Sequence, residues 1–196
     1  MPRTPAQYQQ IREEKRKLIM DTALELFANH GYYDTSISRI AEEAGISKGL
    51  LYNYFSGKEE LVIEIVKKGF YDVVKVFDPN RDGVLTHDEM RYMINGLFDI
   101  LKRDLHFWRL YFALASQPIV NRMAYERIME IALPVFITLT EYFRTNGYKN
   151  PEVEARMFTA FLDGVSMNYV YEPDTFPLEQ VKARILEMYN LNNINH

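Results

Sequence analysis

The chain has 196 residues, a net charge of −4 and no cysteine, which excludes disulfides and thiolate metal sites and makes a reducing cytoplasm the natural setting. Its apolar content of 47% is enough for a sizeable core, and the negative balance argues against a nonspecific nucleic-acid coat. The first ten residues lack the apolar run of a signal peptide, and the longest uncharged stretch, near 131–140, is far too short to span a bilayer, so a soluble protein is expected.

Hydrophobic periodicity predicts helices throughout and no strand alternation. In chain order they run at about 12–30, 37–44, 48–55, 58–77, 87–103, 105–116, 119–146, 151–171 and 177–190, an all-α fold of about nine helices. In the first, Arg12, Lys15, Arg16 and Lys17 cluster just before the apolar stripe, a position that could reach phosphates; a solvated helix start would show the same cluster. Pro134 inside the seventh predicts a kink or a local break. Gly147 with Pro151, and Pro173 with Pro177, bracket the last two turns.

Residues 35–58 read as two short helices joined by a tight turn. Ile37, Ile40, Ala41 and Ala44 recur at helical spacing, with Thr35 or Ser36 as the cap. Gly45 supplies the left-handed residue that ends the first helix, Ile46 fills the angle, and Ser47 caps the second. There Leu51 and Phe55 point to the core, so Lys48, Gly49, Tyr52 and Asn53 fall on other faces. A helix entering a DNA groove has this form, meeting base edges with its N-terminal end while flanking groups hold phosphates. Gly49 admits a close backbone approach, and Tyr52, Tyr54 and Lys58 can donate to phosphate oxygens, Lys58 beside a fresh helix start. A helix pair in an all-α core, with its tyrosines there for packing, would give the same spacing. The first 60 residues hold eight Lys or Arg against nine Asp or Glu, so placement rather than bulk charge would have to supply affinity.

Thr35-Ser36, Ile40-Ala41, Ala44-Gly45-Ile46-Ser47, Gly49, Leu51-Tyr52, Tyr54-Phe55, Lys58 and Leu61, with Ile19, Ala23, Leu26-Phe27 and Gly31-Tyr32 upstream, resemble the DNA-binding domain of the tetracycline-repressor (TetR) family. The resemblance covers about residues 15–61; beyond it only the helical layout agrees. Tyr54 departs from the pattern, since many members carry histidine there. The resemblance implies a three-helix helix-turn-helix domain at 1–60 and a larger effector-binding and dimerisation domain at 61–196. It implies DNA contacts from Thr35, Ser36, Ser47, Lys48, Gly49, Tyr52, Asn53, Tyr54 and Lys58.

Asp78-Pro-Asn80-Arg-Asp82-Gly83-Val84-Leu85-Thr86-His-Asp-Glu89 fits the calcium-loop pattern of an EF-hand. Asp78, Asn80, Asp82 and Glu89 would offer side-chain oxygens and Val84 its carbonyl, with Gly83 at the sharp bend. The same residues read equally as two turns followed by a Thr86–Glu89 capping box, and no second loop exists to pair with this one. No cofactor is required; calcium is the one candidate.

The later helices carry Phe98, Leu101, Trp108, Tyr111, Phe112, Met123, Ile131 and Phe136, which line either a filled interior or a cavity. TetR-like proteins enclose a small effector in this region, and such pockets are apolar with a few polar groups, so an unidentified small apolar effector is expected. In the family resembled, the last two helices form a four-helix interface with a two-fold mate. Here that interface would use Met157, Phe161, Gly164, Val165, Val181 and Ile185, unless these residues simply close a monomer's core. The four histidines, His30, His87, His106 and His196, are scattered and no phosphate-binding glycine loop occurs, so no enzyme is expected. The expected function is a homodimeric, ligand-responsive repressor on a palindromic double-stranded operator. The alternatives are a calcium-responsive regulator and a helical protein-interaction module.

Overall fold

The computed structural model describes residues 4–77 and 82–192. Among them are nine helices and no strand: α1 (Pro5–Asp34), α2 (Ile37–Glu43), α3 (Lys48–Tyr52), α4 (Lys58–Val74), α5 (His87–Arg103), α6 (Leu105–Ala115), α7 (Pro118–Thr145), α8 (Pro151–Tyr171) and α9 (Leu178–Met188).

Local chemistry sets most of these limits. α1 begins at Pro5 rather than near residue 12 because Thr4 and Gln7 form a capping box, with proline at the first helical position. Its helical dihedrals break at Gly31, whose φ of 82° belongs to the left-handed region. Ser36 caps α2 by accepting from the Arg39 N–H, and Ser47 caps α3 by accepting from the Leu50 N–H. Gly45, at φ 62°, turns the chain between them. α3 is shorter than expected, because the Asn53 and Tyr54 amides bond three residues back and tighten the last turn. The Ser56 amide and hydroxyl both donate to Glu60, which holds its carboxyl below the ordinary value. That contact is complete above the carboxylate's ordinary pKa and is lost as the pH falls through the depressed one. Of the two outcomes expected at Pro134, a local break does not occur: α7 runs through it as one helix. The lost N–H removes one rung from a 28-residue helix, and the flanking turns carry on around it.

The chain divides into two compact units, one of Met1–Lys68 with Leu110–Arg127 and one of Gly69–Arg109 with Ile128–His196. In the first, Ile19, Ala23 and Phe27 of α1 are fully buried, as are Ile40, Leu51, Leu61 and Val62, and Leu114, Val120 and Ala124. Each large side chain so buried contributes about 1.5–3 kcal/mol. In the second, α5 packs against α8 and α9, burying Met90, Ile94 and Phe98. Phe158 meets Tyr189 edge-on at 4.9 Å, and Phe143 lies 5.9 Å from Phe158. Gly96 lets α5 approach the segment after α4: a Cβ there would come within 3.0 Å of the Val76 side chain.

The end of α1 is held by three side chains. The buried Thr35 hydroxyl shares its proton between the Gly31 and Leu26 carbonyls, at 2.9 and 3.2 Å. The Lys58 ammonium donates to the Tyr32, Thr35 and Tyr33 carbonyls at 2.8, 3.1 and 3.4 Å. Gln117, between α6 and α7, donates to the Phe27 carbonyl at 2.9 Å and accepts from the Tyr32 N–H at 3.0 Å. Thr35→Val keeps the shape and removes the hydroxyl. In urea titration of the whole chain it is expected to lower the unfolding free energy by about 1–3 kcal/mol with an unchanged slope. An unmoved midpoint would show that the corner stands without this bond.

Candidate nucleic-acid interface

The α2–turn–α3 segment presents one face outward. Leu51 and Phe55 are buried to within 1% of their surface; Lys48, Gly49, Tyr52 and Asn53 are exposed, and Leu50 and Tyr54 half-exposed. The spacing dictates this split, since a four-residue step returns to the core side of a helix and the residues between do not. A Cβ at Gly49 would meet nothing within 4 Å, so the backbone is open to close approach. Ser36 and Ser47 are exposed and each caps its helix.

Two residues expected at this face point elsewhere. Thr35 is fully buried, its hydroxyl turned onto α1. The Lys58 ammonium is engaged by three carbonyls and lies 4.2 Å from the centre of the Tyr32 ring. Three acceptors match the three protons an ammonium can offer, so this lysine braces the end of α1 rather than reaching outward. Arg12, one of the four clustered basic residues placed where they could reach phosphates, has its guanidinium 5.6 Å from the centre of the Tyr54 ring. Arg39, outside the expected set, is exposed on α2 and bonds the His30 ring at 2.9 Å.

The remaining expected residues disperse. Of the effector set, Tyr111, Phe112 and Met123 belong to the first unit, and Phe98, Leu101, Trp108, Ile131 and Phe136 to the second. Phe98, Leu101 and Trp108 are buried, and the Trp108 indole donates to the Ile100 carbonyl at 3.2 Å. The Tyr111 hydroxyl donates to the Val66 carbonyl at 3.3 Å. Phe136 is covered by the Arg156 guanidinium at 4.3 Å. Met123 lies with Asn121, Arg122 and Tyr125 along an open, polar cleft in the first unit, unlike the apolar enclosure expected of it.

Of the dimer set, Met157 and Phe161 are exposed and Gly164 half-exposed. Val165 and Ile185 are buried in their own unit and Val181 is half-buried. Val165 lies one residue, about 100° of helix, beyond Gly164 and so turns inward. Val153, Met167 and Tyr171, not anticipated, complete the exposed stripe.

In the calcium-like loop, Asp78 and Asn80 lie outside the described residues. Glu89 accepts from the Thr86 amide and hydroxyl, both at 2.9 Å, as the capping-box reading requires. Asp82 accepts from the Val84 N–H at 2.8 Å, and Val84 is exposed. Ligation by Glu89 would take that carboxylate away from its cap. Among the described residues no three acidic or histidine side chains gather as metal ligands, and no helix is long and apolar enough to cross a membrane.

Residues 19–65 match the family described as bacterial regulatory proteins, tetR family. The uncharacterized HTH-type transcriptional regulator YuxN of Bacillus subtilis (strain 168) is 50% identical over 60 residues, 31% of this chain; the chain spans only 20% of that protein. The fatty acid metabolism regulator protein of the same organism is 22% identical over 182 residues, covering 87% of this chain and 91% of that one. The solved structure of the fatty acid degradation regulator FadR from Bacillus halodurans shares the fold, with a TM-score of 0.67 at 22% identity over 100% of both chains. The likeness to the tetR family is thus carried by residues 19–65, the helix-turn-helix segment.

Proposed function

We propose that the protein is a homodimeric, ligand-responsive repressor that places α3 of each copy in the major groove of a palindromic operator. The observation that carries this reading is the division of α3 into a buried Leu51–Phe55 side and an exposed side of Lys48, Gly49, Tyr52 and Asn53. Gly49 leaves room for the DNA backbone, and Lys48, Tyr52 and Asn53 offer donors to phosphates and base edges. Ser36 and Ser47 sit at helix starts whose amides favour phosphate, and Tyr54 flanks them.

A second copy is the partner that suits α8. Val153, Met157, Phe161, Met167 and Tyr171 fall on one line with Ala160 and Gly164, and all five of the large residues are exposed. The small pair permits close approach by an identical helix, and a two-fold contact uses the same patch on both sides. The effector belongs with the apolar interior of the second unit, around Phe98, Leu101 and Trp108. Two relatives that align over most of their length are named for fatty acid metabolism and degradation, so a fatty acid is the first effector class to test.

Selection from a random DNA pool is expected to return an inverted repeat whose half-sites lie about one helical turn, or a multiple, apart; no enrichment would end the proposal. On the selected operator, Lys48→Ala should weaken binding across sequences and lower the salt dependence by about two charges, one from each copy, without changing the melting temperature. Lys58→Ala should lower the melting temperature instead; the reverse pattern would return Lys58 to the DNA. Phe161→Glu should convert the dimer to a monomer in light scattering and abolish binding to the full palindrome. A dimer surviving this change would move the interface off α8.

A further inference from the structure

We propose that the N-terminal extension of α1 is a second DNA-backbone contact, made by Arg12 and Lys15; this rests on the operator-binding reading above. α1 is capped at Thr4, yet its buried stripe begins only at Ile19, so about fourteen residues of regular helix, roughly 20 Å long, precede the core. None of residues 4–18 is buried.

A helix stripe continues in both directions. Ile19 and Ala23 face the core of the first unit, and the same line traced back one turn at a time carries Lys15, Arg12 and Tyr8. Where the stripe has no core to enter, its residues change from aliphatic to cationic and aromatic. The opposite side carries Glu13 and Glu14, which accept from Gln9 and Gln10 at 2.8 and 2.9 Å. The extension therefore has a carboxylate side and a cationic side, with the cationic side in line with the head.

The four basic residues of this segment are not equivalent. Arg16 pairs with Glu64 at 2.6 Å and lies over the Phe55 ring, and Lys17 pairs with Asp21. Among the described residues Arg12 and Lys15 make no ion pair. Arg12 reaches the Tyr54 ring, two residues beyond the end of α3. The cationic side is thus continuous with the exposed face of the helix-turn-helix, and its sign complements phosphate. DNA flanking each half-site is the occupant these features select.

The test is salt dependence. Binding of the selected operator, measured by fluorescence anisotropy over a range of salt, should show the slope of log affinity against log salt reduced by about 3.6 in Arg12→Ala/Lys15→Ala, since each phosphate contact contributes about 0.9 and each of the two copies loses two. Base preference should be unchanged, and circular dichroism should confirm that the helix remains. Exchanging the cations, Arg12→Lys/Lys15→Arg, should keep the slope. Removing the same charge from the second unit, Arg103→Ala/Lys149→Ala, should leave it unmoved. A parental slope retained by Arg12→Ala/Lys15→Ala, or an equal fall in the second-unit variant, overturns the proposal while operator binding by the parent stands. If the parent selects no DNA at all, the operator-binding reading fails and this inference falls with it.

Discussion

The carbonyl groups at the end of α1 are the constraint on which the helix-turn-helix head depends. A helix that stops leaves its last carbonyls without intrahelical partners, and Gly31 stops this one abruptly. The partners come from three separate places in the sequence: the Thr35 hydroxyl ahead of α2, the Lys58 ammonium at the start of α4, and the Gln117 amide between α6 and α7. Each group closes a debt of backbone polarity that water cannot reach easily. In doing so each fixes one element against the next, so the start of α2 and hence the α2–α3 angle follow from α1. The exposed α3 face can be small and open because its support lies behind it.

The same corner changes the charge available for binding. A head with more acidic than basic residues cannot attract DNA in bulk, so individual cations matter. Lys58 is engaged by carbonyls, Arg16 by Glu64, and Lys17 by Asp21. Lys48 on α3 remains exposed, and Arg12 lies against Tyr54 just beyond α3, with Lys15 a turn further along α1. Few phosphate contacts imply weak nonspecific binding, and a larger share of any operator affinity then comes from base edges and from the two-fold repetition of the site.

Residues whose roles depend on near neighbours were legible in the sequence. The Ser36 and Ser47 caps, the left-handed Gly45 and the inward Leu51–Phe55 pair need only a turn or two of chain to specify, and their caps, backbone angle and burial are as expected. Thr35 and Lys58 carried no such local mark, because their partners are set by how helices meet. Lys58 bonds a carbonyl 26 residues away, and Gln117 one that is 90 residues away. The start of α1 was missed for a different reason: Thr4, Pro5 and Gln7 are a sound capping box, but no apolar periodicity follows it until Ile19. On α8 the apolar residues were visible but not their sides, since a helix with apolar groups on two faces does not say which face its own core will take. Val165 went inward and Met167 outward for that reason. In the 78–89 pattern, carboxylates that could ligate a cation are the same ones that cap and turn a chain, and Glu89 caps α5.

A regulator of the proposed kind needs its two recognition helices to move together, and the α8 stripe bears on how that is achieved. From Val153 to Tyr171 it spans roughly 27 Å of helix, long enough for a mate to be fixed in angle as well as in distance. With the pair so fixed, the separation of the two α3 helices becomes a property of the dimer rather than of either copy. An effector can then release DNA only to the extent that it prefers one separation over the other; differential affinities of about 1–3 kcal/mol change operator affinity about 5- to 150-fold. A ligand bound equally well in both arrangements would raise the melting temperature and leave the operator occupied. Tight binding in the apolar interior is therefore not itself regulation: the response must come from packing around residues such as Phe98 and Trp108 that differs between the two arrangements.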